Sequence, residues 1–204
     1  MNEDGFIKFN CKRIEKNISI PLQTFESLLK WRQKMYELGL IGINSESIGY
    51  GNISARCAEG GFYISGTATG RFSVLEEKHF ALVNSWSYKQ NSLQCTGMIN
   101  ASAESLSHAA IYETLPQTGA VIHVHHKGMW DKYINSKPAT STEVSYGSPE
   151  MAWEIQQVIQ KTDSHKENFL VMGGHEEGII IWGNTLDEAG GIILKHYKSF
   201  LEGR

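Results

Sequence analysis

The chain has no apolar run near the about 20 residues that a membrane-spanning helix needs, so no membrane partner is expected. It has no excess of positive charge either. The net charge is −3 and no basic stripe is visible, which leaves no electrostatic footprint for nucleic acid. Cysteine is scarce: Cys11, Cys57 and Cys95 are odd in number and show no paired spacing, which excludes a disulfide framework and suits reduced thiols in a cytoplasmic protein. Internal repeats and low-complexity linkers are also missing, and 204 residues are enough for one sizeable core. The expected organisation is a less ordered N-terminal segment over residues 1–20 and a single domain over residues 21–204. Met1 to Gly5 is polar and acidic and does not read as a signal peptide.

What the sequence does contain is Ala120-Val121-Ile122-His123-Val124-His125-His126. Valine and isoleucine alternating with histidine read as a β-strand, and a strand's period of two puts His123 and His125 on one face, about 7 Å apart along the chain. Two imidazoles so placed can chelate one metal ion, and a firm site needs a third ligand. The candidate is His175, in the turn Met172-Gly173-Gly174-His175-Glu176-Glu177-Gly178. His126 points to the opposite face and reads as a residue that packs or supports the ligands rather than as a ligand. His79, His165 and His196 have no metal-like context.

The remaining elements follow from periodicity and caps. Residues 24–38 form an apolar stripe at helical spacing, stopped by Gly39. Short strands are predicted over 53–56, 61–65 and 80–83, and a helix from Ser102 through Tyr112. Ser148-Pro149-Glu150 is a strong helix start: an N-cap serine, proline at the first helical position, then an acid. Apolar strands over 169–172 and 179–182 flank the His175 turn, and Thr185-Leu186-Asp187-Glu188 reads as a capping box for a last helix. Strands and helices are interspersed with hairpin-like pairs, which points to a mixed sheet with helices on its faces.

Other residues with chemical potential carry two readings each. Glu104, in the first turn of its predicted helix, is either a partner of the helix dipole or a base beside a metal-bound substrate. His108, one turn later on the same face, either packs or orients Glu104. The loops Gly49-Tyr50-Gly51-Asn52 and Gly66-Thr67-Ala68-Thr69-Gly70-Arg71 are plain turns, or cradles whose backbone N–H groups and side chains face an anion. Neither is a P-loop.

In four blocks the residues resemble the class II aldolase/adducin family, over about Phe25 to Phe200. The blocks are Gly51-Asn52-Ile53-Ser54-Ala55-Arg56 with Phe62-Tyr63-Ile64-Ser65-Gly66-Thr67; Ser102-Ala103-Glu104 with His108-Ala109-Ala110-Ile111-Tyr112; Val121-Ile122-His123-Val124-His125; and Gly174-His175 with Trp182-Gly183 and Leu186-Asp187-Glu188-Ala189. The resemblance implies an α/β fold, a three-layer α/β/α sandwich around a central mixed, mostly antiparallel sheet, assembled as a homo-oligomer, usually a tetramer. It implies a divalent metal, zinc first with manganese, iron or cobalt as alternatives, held by His123, His125 and His175. Glu104 takes the catalytic position, where the similar epimerases carry aspartate. Asn52, Thr67 and Ser102 fall at substrate-binding positions. The family's phosphate-binding residues are only partly present: Gly49 and Ala103 stand where the family has threonine and serine, Ala68 stands where its Thr-Gly pair has glycine, and Arg71 is the expected compensation, binding a phosphate or carboxylate in bidentate fashion. The stretch from Lys127 to Gly147 is short for the family and lacks its proton-donating tyrosine, leaving Tyr133 and Tyr146 as candidates. The implied activity is carbon–carbon lyase chemistry, a retro-aldol cleavage through an enediolate of a small sugar phosphate or related hydroxy-carbonyl compound. The alternatives are an epimerase, dehydratase or decarboxylase on a similar substrate, or a non-catalytic adducin-like interaction module. The complete histidine set favours an enzyme.

Overall fold

The computed structural model describes residues 6–162 and 167–203. In chain order the elements are β1 (Asn10–Ile14), α1 (Leu22–Glu37), β2 (Gly42–Ile43), β3 (Gly49–Tyr50), β4 (Asn52–Arg56), β5 (Phe62–Ser65), β6 (Phe80–Ser87), β7 (Ser92–Thr96), α2 (Ser105–Thr114), β8 (Ala120–His125), α3 (Lys127–Tyr133), α4 (Pro149–Lys161), β9 (Phe169–Val171), β10 (Gly178–Gly183) and α5 (Leu186–Glu202). Eight strands form one sheet in the order β1-β7-β6-β5-β4-β8-β10-β9, and β2 and β3 form a separate ribbon. Among the described strands, β1 and β7 run parallel and the other pairs in the sheet are antiparallel.

The layering follows from strand alternation. Ile122, Val124, Ile179 and Ile181 project to one face, where they meet Leu28, Met35, Met129, Ile193 and Phe200 of α1, α3 and α5. Val121, Ile180 and Trp182 project to the other, against Leu106, Ala109, Met151 and Ile155 of α2 and α4. β8 and β10 are central strands buried on both faces, so they are apolar throughout apart from the two histidines and the terminal glycines. Each fully buried isoleucine contributes about 1.5–3 kcal/mol. The three-layer α/β/α sandwich with a mixed, mostly antiparallel sheet is therefore the observed architecture.

The caps behave as the residue types dictate. The Ser148 side chain accepts from the Met151 N–H, and Pro149 opens α4. Thr185 caps α5 by accepting from the Glu188 N–H, but the Glu188 carboxylate accepts from the Asn184 N–H, one residue beyond the N-cap donor of a standard capping box. Two elements begin later or lie where no element was expected. α2 starts at Ser105, so Glu104 is the N-cap residue and not part of the first turn. β1 lies within residues 1–20, at the sheet edge, where it presents Asn10, Lys12 and Ile14 outwards. Met1 to Gly5 lie outside the described residues.

Candidate metal centre

His123 and His125 sit on the same face of β8 as Val121, on the α2 and α4 side of the sheet. β10 and β4 flank them: His123 pairs in register with Asn52 on β4 and with Ile180 on β10, and His125 pairs with Gly178. The turn between β9 and β10 closes on itself through the His175 N–H to the Met172 carbonyl and the Gly178 N–H to the His175 carbonyl, which carries His175 over the end of β8. The three rings converge. His125 Nε2 lies 3.1 Å from His123 Nε2 and 3.0 Å from His175 Nε2. Ligand nitrogens around a tetrahedral ion at about 2.0–2.1 Å are spaced roughly 3.3 Å apart, so the cluster is close to ligating geometry.

Electrostatics keep these rings in the ligating form. His123 Nδ1 lies 3.1 Å from the Ile179 carbonyl, which can only accept, so Nδ1 carries the proton and Nε2 keeps its lone pair. Burial pushes the His123 imidazolium down to about 4. Burial, then the charge of His123, holds His125 well below its ordinary value. His175 is also held well below, by burial first, then His125, His123 and Lys8. Three buried neutral imidazoles with converging Nε2 atoms form a donor set that suits a divalent ion of the zinc class.

The cleft around them is about 410 Å³ with its open mouth, and Asn52, Thr67, Ser102, Glu104, Tyr146 and the three histidines line it. Glu104 is buried, with Oε1 3.7 Å from His175 Nε2 and Oε2 accepting from the Ser107 hydroxyl. Asn52 is buried, and its Oδ1 has no hydrogen-bond partner among the described residues, which leaves an acceptor aimed at whatever enters. Gly51, at φ +72°, makes the turn that feeds Asn52 into β4. A Cβ there would lie 2.7 Å from Ile41 Cγ1 and 3.1 Å from the His123 carbonyl oxygen, so only glycine fits beside the site.

Arg71 does not join this group. It is exposed, its Nε donates to the Ala68 carbonyl, and it is not among the residues lining the cleft. The turn over Thr69–Arg71 directs its side chain outwards. Of the two tyrosines, Tyr146 lines the cleft and stacks on His175 at 4.7 Å, whereas Tyr133 packs in the opposite layer with its hydroxyl on the His196 carbonyl. The His108 side chain makes no hydrogen bond to the Glu104 carboxylate; its Nδ1 pairs with the Ser54 hydroxyl at 2.7 Å, and Ser54 also meets the Tyr112 hydroxyl. His126 caps α3 by accepting from the Met129 N–H. His165 lies outside the described residues.

Two contributors carry little sequence signal. Tyr50, between two glycines, stacks on His125 at 5.1 Å; its flanking glycines were the available hint. Arg32 is buried behind the cleft loop and donates to the Thr69 and Ser73 carbonyls. An arginine inside an amphipathic helix would ordinarily be placed on the solvent face.

The family model described as the class II aldolase and adducin N-terminal domain matches residues 26–194. Among solved structures, the fold is similar to L-fuculose-1-phosphate aldolase from Thermus thermophilus, with a TM-score of 0.68 at 16% identity over 89% of this chain and 92% of that one. A sugar-phosphate aldolase from Thermotoga maritima gives 0.64 at 15% identity, over 88% and 94% of the two chains. A Klebsiella pneumoniae protein whose described activity is left open between aldolase, epimerase and decarboxylase gives 0.66 at 16% identity, over 87% and 86%.

Proposed function

The chain belongs to the class II aldolase and adducin family, and on that premise we propose that it is a divalent-metal-dependent carbon–carbon lyase acting on a small sugar phosphate or related hydroxy-carbonyl compound. The observation that carries the reading is the convergence of three buried, neutral imidazoles beside a buried carboxylate in one cleft. His123, His125 and His175 would hold the ion. When bound, it supplies Lewis-acid polarisation of the substrate's carbonyl and hydroxyl oxygens. Retro-aldol cleavage breaks the carbon–carbon bond, releases an aldehyde and leaves an enediolate, whose carbon must take up a proton. In this reading Glu104 carries that proton. Ser107, donating to Oε2, holds the carboxylate in one attitude, with Oε1 towards the histidines. Asn52, Thr67 and Ser102 would bind the substrate's oxygens, with the Asn52 acceptor suited to a hydroxyl. Tyr146, rather than Tyr133, is the tyrosine this reading takes for the proton on the departing oxygen. Arg71 has no part in it.

The same reading takes zinc as the resident ion, residues 21–204 as the functional unit, a homo-oligomeric assembly and a cytoplasmic setting, all supported by family membership. No described helix is long and apolar enough to cross a membrane. The test is to screen the metal-loaded protein against sugar phosphates and unphosphorylated hydroxy-ketones, with product analysis. Cleavage that disappears with chelator and returns with metal is expected. Epimerised, dehydrated or decarboxylated product would move the chain to another branch of the same chemistry, and no turnover of any class would refute the reading.

A further inference from the structure

The chain ahead of the matched family segment reaches the candidate site. Phe9 is buried in the α2/α4-side core, and the Lys8 carbonyl accepts from Asn91 Nδ2 at 2.8 Å, so the backbone that carries the Lys8 side chain is fixed. The Lys8 ammonium donates to the Ser145 hydroxyl and lies 3.8 Å from the centroid of the Tyr146 ring. Tyr146 in turn stacks on His175 at 4.7 Å with 29° between the planes. One ring face is taken by the imidazole, so the ammonium occupies the other, and the order is cation, phenol, imidazole.

The turn carrying His175 is built to receive this stack. A Cβ on Gly174 would lie 1.7 Å from the Val144 carbonyl oxygen, and one on Gly173 would lie 2.2 Å from that of Thr140. Two glycines thus let the 140–146 segment press onto the turn. His123 is oriented by the Ile179 carbonyl, and His125 leans on Tyr50. Tyr146 plays the corresponding part for His175, and a ring is held only as firmly as what lies behind it. Cation–π contact and the bond to Ser145 supply that backing.

We propose that Lys8 is a positioning residue for the metal centre: bonded to Ser145 and seated on Tyr146, it holds that ring against His175 and sets the attitude of the imidazole. The role in metal binding rests on the lyase reading, whereas the positioning itself does not. Lys8 precedes residues 26–194, the stretch that the family model matches.

The test uses the full chain with Lys8→Met, Lys8→Arg and Ser145→Ala. In the metal-free protein, the His175 Cε1–H resonance, which lies under the Tyr146 ring current, is expected to move in Lys8→Met and return in Lys8→Arg. Ser145→Ala leaves the core intact and should move it in the same direction by less. With cobalt bound, release to chelator should be roughly 3- to 10-fold faster in Lys8→Met and restored in Lys8→Arg. A His175 resonance unchanged in Lys8→Met overturns the proposal, as does a loss of thermal stability with unchanged cobalt release. If the resonance moves and is rescued while no variant, wild type included, takes up cobalt, the positioning role stands and the metal reading falls.

Discussion

Acidification of the metal-free protein should expose the cost of keeping its imidazoles neutral. His108, His123, His125 and His175 are all buried, and burial lowers each. An unfolded histidine takes up a proton near pH 6.5, while folded His123 resists until about 4. Between those values the unfolded chain binds more protons than the folded one, so stability is full above about pH 6.5 and falls as pH drops. For His123 the loss is about 1.4 kcal/mol per pH unit, about 3 kcal/mol across the window. His108, His125 and His175 are lowered in the same direction by burial and add to the fall. Urea titrations with chelator present, from about pH 7 to about pH 5.5, read this slope before carboxylates begin to protonate. His108→Gln removes one such group without touching the three proposed ligands, and should flatten the slope. A stability unchanged over that range, or a slope unaltered in His108→Gln, would refute the reasoning.

Glu104→Gln keeps the side chain's size but cannot carry the proton; metal content should be unchanged and substrate carbon–hydrogen exchange should fall by roughly 10²–10⁴, as followed by NMR in deuterated water. Arg71→Ala should leave KM and kcat within about twofold, since the guanidinium is outside the cleft; a steady-state comparison decides. Gly174→Ala forces a Cβ against the Val144 carbonyl and should cost about 2 kcal/mol or more in denaturant titration, with weakened metal affinity in chelator competition.

The parts of this molecule legible in its sequence are those where one residue type has one physical use. Alternating valine, isoleucine and histidine fixed β8 and the shared face of His123 and His125, and Ser148-Pro149 marked the start of α4. The resemblance brought His175 and Glu104 into one proposed site, and in the structure Glu104 Oε1 lies 3.7 Å from His175 Nε2. Weaker signals failed for definable reasons. β7, Ser-Leu-Gln-Cys-Thr, is too polar on its outer face to stand out, and α3 is only seven residues long, capped by a histidine that resembled the continuation of a strand. Arg71 looked like an anion anchor by type and proximity to a glycine-rich loop, but the local turn sends it outwards. Tyr50, Tyr146 and Lys8 act through stacking that depends on tertiary placement, and a linear pattern does not encode which ring a cation will cover.

The most direct test of the central claim is the metal content of the purified protein by mass spectrometry, with His123→Ala alongside. The account predicts about one divalent ion per chain in the wild type and its loss in the variant. A wild type that stays metal-free after reconstitution with zinc, manganese or iron would contradict it.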